Sequence, residues 1–380
     1  MNNIFIPSQN ADFLFGKTCQ LVKEGVEKRF YPSAVCAMGD KNGLIRKEAF
    51  GYARWFSDEN PCFDIIPEKP YDKAVPCDTG LMFDMASCSK VLGTTMLALK
   101  AIENGEITLK DSIWRFIGDA PEDKRNIEIF DLMTHRGGFL PWFDIEGVGF
   151  APEDAAKAIF SVPLAYETGK EVRYSCMGYI LLGKILELVY GEPLDVAAEK
   201  HVFAPVGMKN TMYTPLKKGY KGEIAPTEYD KKTGKYKLGI VHDENACFLN
   251  GISGNAGVFS TVDDIAALCT SLGNYDFLTK RTMDQTRFNY TANIPGEDRG
   301  LGFELKGDRF CSCGDLFSHG SIGHTGFTGT FLFMDKETSF YFILLTNRVH
   351  FTRENNLMLR HRRKTCNCAI TEYFRLKNIK

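Results

Sequence analysis

Apolar positions change period several times along this chain. Between residues 13 and 30, Leu14, Cys19, Leu21, Val22 and Val26 recur at helical spacing. Two apolar runs follow, 34–38 and 44–50. The Asn-Gly pair of the intervening Asp40-Lys41-Asn42-Gly43 predicts a β-hairpin. From Cys88 onward, Val91, Leu92, Met96, Leu99 and Ile102 share one face of an amphipathic helix that Asn104-Gly105 should stop. A second such helix is predicted from Met177 through Ile180, Leu181, Ile185, Leu188 and Val189 to Gly191. A third starts at a Ser260-Thr261 cap with Asp263 and Asp264 in its first turn. Runs 330–334 and 340–345 then predict a second hairpin, and a helical tail over 354–376 closes the chain.

Strand-bearing ends around a helical middle imply one α/β layer domain built from residues 1–84 and 276–380. Residues 85–275 would form a mostly helical domain, with a cleft between the two. A length of 380 residues suits that division. The composition, 44% hydrophobic and 25% charged, excludes disordered and coiled-coil chains. With 46 basic against 48 acidic residues, the net charge of -2 gives no global pull toward nucleic acid or an anionic membrane. No apolar run is long enough for a membrane span. The start, Met1 to Pro7, lacks the basic and apolar regions of a secretory signal, so a cytoplasmic protein is expected. In that compartment the twelve cysteines, including Cys311/Cys313 and Cys366/Cys368, are expected to be structural thiols.

The sharpest chemical feature is Ser87-Cys88-Ser89-Lys90. Residues three apart share a helix face, so an amine would lie beside the Ser87 hydroxyl. A serine needs such help to act as a nucleophile. Alone, the tetrapeptide is better read as a helix cap followed by a surface lysine. Competing signatures fail: Gly251-Ile252-Ser253-Gly254-Asn255 lacks the last glycine of a nucleophile elbow, and Gly16-Lys17-Thr18 lacks the glycine needed at Ala11 for a phosphate loop. The basic tail Arg360, Arg362, Arg363 and Lys364 reads as a solvated helix face.

Two further motifs follow in order, Tyr174-Ser175-Cys176 before the second middle helix and His324-Thr325-Gly326 before a strand. Together with Ser87-x-x-Lys90 they resemble the three signatures of the penicillin-binding protein and serine β-lactamase family. Leu132-Met133-Thr134-His135-Arg136-Gly137-Gly138 and the sequence from Gly323 to Thr330 are similar to flanking segments of its class C-like branch, which holds esterases, DD-peptidases and peptidoglycan-fragment amidases. The resemblance implies the β-lactamase/transpeptidase-like fold, an antiparallel sheet flanked by terminal helices plus an all-α lobe. It implies Ser87 as the acylated nucleophile, Lys90 or Tyr174 as its base, and the Ser87 and Phe327 N–H groups as the oxyanion hole. His324, Thr325, Gly326 and Cys176 would face substrate. His242 and Asp243, beside a glycine-rich segment, would either face substrate or brace that loop, and Asn347 and Arg348 would meet a substrate carboxylate or form a solvated strand end. No metal or organic cofactor is implied, the partner is a small-molecule or peptide substrate, and the oligomeric state is left open.

Two departures shape the expected activity. Cys176 stands where the family usually has asparagine, and a thiol is a poorer hydrogen-bond partner for a substrate amide. His324 replaces a lysine and removes a permanent cation. Both weaken the case for an efficient class C-like β-lactamase. They suit a hydrolase of another ester, amide or peptide, such as a peptidoglycan-derived fragment, or a binding protein that has kept the fold.

Overall fold

Strand β1 (Ser33–Asp40) is buried along its whole length, because it lies inside a sheet covered on both faces. The computed structural model describes residues 14–61 and 66–378. The expectations for Met1 to Pro7 and for a helix starting at Phe13 lie outside the described residues. β1 pairs with β2 (Gly43–Arg54) in the first predicted hairpin. Asp40 sits opposite Gly43, so Lys41-Asn42 forms the two-residue loop and the Asn-Gly pair lies one position off centre. The Asp40 carboxylate closes this turn, accepting from the Asn42 backbone N–H at 2.7 Å and from its side-chain amide at 3.0 Å.

β3 (Val75–Pro76), β4 (Glu304–Leu305), β5 (Ile322–Thr325), β6 (Phe331–Met334) and β7 (Tyr341–Thr346) complete an antiparallel seven-stranded sheet ordered β3-β2-β1-β7-β6-β5-β4. β6 and β7 are the second predicted hairpin. Five helices frame the sheet and the site: α1 (Gly16–Glu27), α2 (Thr95–Glu103), α3 (Cys176–Tyr190), α4 (Val262–Asn274) and α5 (Met358–Leu376).

The period-two alternation of the central strands divides the core. Ala34, Cys36 and Met38 of β1, Phe331 and Phe333 of β6, and Phe342 and Leu344 of β7 pack against α1 and α5. Their alternates Val35, Ala37, Leu332, Met334, Ile343 and Leu345 join the larger core on the other face, with Ile265 and Leu268 of α4 and the helical middle of the chain. Each fully buried aromatic or aliphatic side chain contributes about 1.5–3 kcal/mol.

Three sequence expectations change in detail. The helix predicted from Cys88 is a 3₁₀ turn (Ala86–Cys88), a π-helical turn (Lys90–Thr94) and then α2, and such π segments favour functional sites. The closing helix starts at Met358 rather than 354, because Asn355 is fixed in a turn by donating to the Arg29 and Phe30 carbonyls at 3.2 Å. The basic tail is not uniformly solvated: Arg362 is buried, with its guanidinium 5.3 Å from the Phe331 ring. Among the described residues no helix is long and apolar enough to cross a membrane.

Candidate active site

Ser87 sits in a strained turn. Ala86, just before it, has φ 45°, a left-handed conformation that costs a non-glycine residue about 1–3 kcal/mol. Asp84 holds the turn. Its buried carboxylate accepts from the Ala86 N–H at 2.8 Å and the His242 N–H at 2.7 Å. Burial outweighs those bonds and raises its pKa. The turn after β5 is fastened to the same place: the Thr328 hydroxyl donates to the Asp84 carbonyl at 2.8 Å and Thr330 to that of Met85 at 2.9 Å. The end of β5 is thereby fixed against the serine.

The π turn brings Lys90 back toward Ser87 from inside the protein. Lys90 is fully buried, and its Nζ lies 3.3 Å from Ser87 Oγ, 2.8 Å from the Asn255 carbonyl and 3.6 Å from Cys176 Sγ. Burial holds the amine below the ordinary lysine range, against the opposing effects of Cys176 and Asp243. A neutral amine has two N–H donors and one lone pair. In the structure Nζ donates to all three of Asn255, Cys176 and Ser87; once it has lost a proton, Asn255 and Cys176 can keep the two donors and the lone pair can take the Ser87 proton.

Tyr174, at the entry to α3, stacks 4.9 Å from Lys90 Nζ. Its hydroxyl is buried and has no partner at full hydrogen-bonding geometry, although Ser87 lies near enough to oppose the effect of burial. Burial first and Cys176 second drive the phenol well above its usual pKa. It is therefore a proton donor at neutral pH. The two candidate bases of the sequence are thus separated by environment: the amine is pushed toward its neutral form and the phenol is kept protonated.

Two buried histidines flank the tyrosine. The His135 ring is 4.8 Å from that of Tyr174, and the His324 ring 5.9 Å. Burial, then the charges of Arg299 and Lys90, hold both far below the ordinary imidazole range, so both are neutral. Their tautomers follow from their partners. His135 Nδ1 accepts from the Ser175 N–H at 3.2 Å, so its proton is on Nε2. His324 Nδ1 donates to the Thr325 carbonyl at 2.7 Å, so its Nε2 carries a lone pair. A lone pair repels a carboxylate; it can accept from a hydroxyl.

A cleft of about 480 Å³ opens over Ser87. Tyr174, His324, Thr325, Gly326, Phe327 and Arg348, all singled out in the sequence, line it. The Phe327 N–H donates to no protein acceptor among the described residues, which suits it to an oxyanion. Cys176, His242, Asp243 and Asn347 do not line the cleft, and their side chains have protein partners instead. Cys176 backs Lys90. His242 Nε2 bonds Glu228 at 3.0 Å. Asp243 caps the helix Glu244–Phe248 through the Ala246 N–H and accepts from Asn255. The Asn347 amide is saturated by Ser33, Ala53 and Pro226. Arg348 lines the cleft but is anchored, its Nη1 donating to the carbonyls of Arg353 and Asn355. The carboxylate contact expected of Asn347 is therefore corrected to a structural brace.

Sequence reasoning missed Arg299 and Glu304, which lie on no motif, and gave Arg362 to solvent; all three line the cleft. It also assigned nothing to Asn255, whose backbone carbonyl orients Lys90.

Comparisons with known proteins place nearly the whole chain beside one family. A family model described as Beta-lactamase matches residues 20–367. The chain is 30% identical over 352 residues to a "Putative D-alanyl-D-alanine carboxypeptidase" of Escherichia coli (strain K12), covering 84% of this chain and 79% of that protein. It is 28% identical over 377 residues to an N-acetylmuramyl-L-alanine amidase of Bacillus subtilis (strain 168), covering 88% and 81%. The solved structure of EstCE1, a hydrolase with promiscuous acyltransferase activity, superimposes with a TM-score of 0.70 at 21% identity over 93% of this chain and 99% of that one, and so shares the fold.

Proposed function

The chain belongs to the Beta-lactamase family of serine hydrolases, and from that premise we propose that it cleaves an amide or ester in a peptidoglycan-derived peptide by acylating Ser87. The observation that carries the reading is the buried Lys90 amine 3.3 Å from Ser87 Oγ, with its N–H donors already engaged. Ser87 Oγ adds to the carbonyl carbon while its proton passes to Lys90 Nζ. The Ser87 and Phe327 N–H groups hold the oxyanion. The tetrahedral adduct collapses, the bond to the leaving nitrogen or oxygen breaks, and Tyr174 supplies that atom's proton. Lys90 restores the proton to Tyr174. Water then adds to the acyl-enzyme, and the acid departs with Ser87 regenerated.

The relatives support a peptide substrate: one is named for D-alanyl-D-alanine and another for an N-acetylmuramyl-L-alanine amide. Cys176 argues against efficient antibiotic turnover, since its thiol faces Lys90 and not the cleft. Turnover of a chromogenic ester, an acyl-D-alanyl-D-alanine peptide, a muropeptide and a chromogenic cephalosporin, each with Ser87→Ala as control, tests the reading. Ester and peptide turnover should fall at least about 10³-fold in the variant, and the cephalosporin should be the poorest substrate. Turnover independent of Ser87 would overturn it.

A further inference from the structure

We infer that His242 is a positioning residue for the oxyanion hole: its ring holds the Phe327 side chain, and with it the Phe327 N–H, in register with the Ser87 turn. The inference rests on the acyl-transfer reading above and adds a residue to that same site. Phe327 lies just beyond the end of β5, and its N–H donates to no protein acceptor among the described residues. Its ring is 47% exposed, so enclosure by the protein does not fix it. The His242 ring supplies a contact instead, stacked at 5.6 Å between centroids and 25° between planes. His242 is only 3% exposed and is therefore the fixed member of the pair. An oxyanion donor has to be held to a fraction of an ångström, because a misplacement of about 1 Å costs about a hundredfold in rate.

The anchors of His242 lead back to the nucleophile. Its backbone N–H donates to Asp84 Oδ2 at 2.7 Å, and the other oxygen of that carboxylate accepts from the Ala86 N–H at 2.8 Å, one residue before Ser87. The Asp84 carbonyl accepts from the Thr328 hydroxyl, one residue after Phe327. Asp84 thus ties together the two segments that carry the oxyanion donors, and His242 extends the tie to the Phe327 ring. Glu228 sets the His242 ring in turn. Burial opposes ionisation of this carboxyl, but His242 and Arg353 hold it below the usual carboxylate range. It accepts from His242 Nε2 at 3.0 Å. With Nε2 so engaged and no place in the cleft lining, His242 acts through Phe327 and not on substrate. Two other groups meet the Phe327 ring, the guanidinium carbons of Arg348 at 4.8 Å and Arg353 at 5.8 Å. Their side chains are tied elsewhere, Arg348 to the carbonyls of Arg353 and Asn355, and Arg353 to Glu228 and Glu244. Of the three, His242 alone also bonds Asp84 among the described residues.

The test compares kcat/KM for a neutral chromogenic ester with that for its thionoester, in which sulfur replaces the carbonyl oxygen. N–H donors set for an oxyanion favour oxygen, since sulfur is larger and a weaker acceptor. Displaced donors lose that preference, whereas a general loss of folded protein lowers both rates alike. The wild-type protein should prefer the oxygen ester at least about tenfold. His242→Ala should reduce the preference at least about threefold, and His242→Phe, which keeps a flat ring against Phe327, should restore it to within about twofold of the wild type. Phe327→Ala keeps the N–H, removes the same contact at an exposed position and should match His242→Ala. Melting curves establish that each variant is folded, and Phe327→Ala reads the ratio should a His242 variant not fold. Ser87-dependent ester turnover overturns the inference, and leaves the acyl-transfer reading intact, in any of three cases: no oxygen preference in the wild type, a preference unchanged in folded His242→Ala or Phe327→Ala, or one that folded His242→Phe does not restore. No Ser87-dependent turnover of the ester overturns both.

Discussion

Lys90 shows how one residue can serve chemistry at the expense of stability. A buried amine loses hydration, and its three protein acceptors, two of them distant, do not fully replace it. Its lowered pKa sets the sign of the linkage: between the folded and the unfolded lysine pKa, the unfolded chain binds more protons, so stability rises with pH through that window. Lys90→Met fills a similar volume without the charge. We expect Ser87-dependent ester turnover to fall at least about 10³-fold, with a thermal midpoint equal to or above that of the wild type. A large loss of stability would mean that Lys90 is primarily structural. At this scale Ser87, Lys90 and Tyr174 were legible from three motifs in the right order. Arg299 was not, because nothing in Glu297-Asp298-Arg299-Gly300 announces a site; only the fold carries it to Tyr174. Asn347 misled for the opposite reason. Its motif position looks functional, while its amide is consumed by three partners that lie far away in sequence.

Among elements, the contact of α3 with the glycine-rich segment 251–257 positions the base. Gly183 of α3 meets Gly254 backbone to backbone: a Cβ on Gly183 would lie 2.9 Å from Gly254 Cα, and one on Gly254 would lie 2.0 Å from the Tyr179 carbonyl. The segment then presents the Gly254 carbonyl to Thr94 and the Asn255 carbonyl to Lys90. Gly254→Ala must push the strand of backbone off α3. The expected cost is about 1–3 kcal/mol of stability, with ester kcat/KM falling by more than tenfold because the acceptor of Lys90 moves. Chemical denaturation and steady-state kinetics on the same sample check both; a stable variant with unchanged kcat/KM contradicts the account. The hydrophobic periodicity made α3 and its Gly191 stop readable, and Gly191 does adopt the left-handed cap at φ 64°. It could not reveal the π turn at Lys90–Thr94, since the same apolar residues are buried whether the turn is α or π.

At the level of the whole molecule, both ends of the chain are needed for one sheet. β1 and β2 come from the first sixty residues and β4 to β7 from the last eighty, and β1 joins them by pairing with β7 from Ala34↔Thr346 to Gly39↔Tyr341. The two hairpins were legible because each is local. The strand order was not, because β1, β6 and β7 are buried on both faces and carry continuous apolar runs that name no partner. The sheet edge β5, the Ser87 turn and the α3 entry meet at one cleft only through this long-range pairing, and the cleft gathers Ser87, Tyr174, His324 and Arg299 from four separate parts of the sequence.

The central claim is that Lys90 deprotonates Ser87. Intact-protein mass spectrometry of the full chain with a fluorophosphonate probe, followed over time from pH 5 to pH 10, tests it most directly. One phosphonyl group should attach to Ser87, with fluoride released. The labelling rate should climb with pH and level off below the ordinary lysine pKa, without a decline from Tyr174 ionisation, and Ser87→Ala should stay unlabelled. A wild-type protein that remains unlabelled, a label on another residue, or a Ser87 rate indifferent to pH would contradict it.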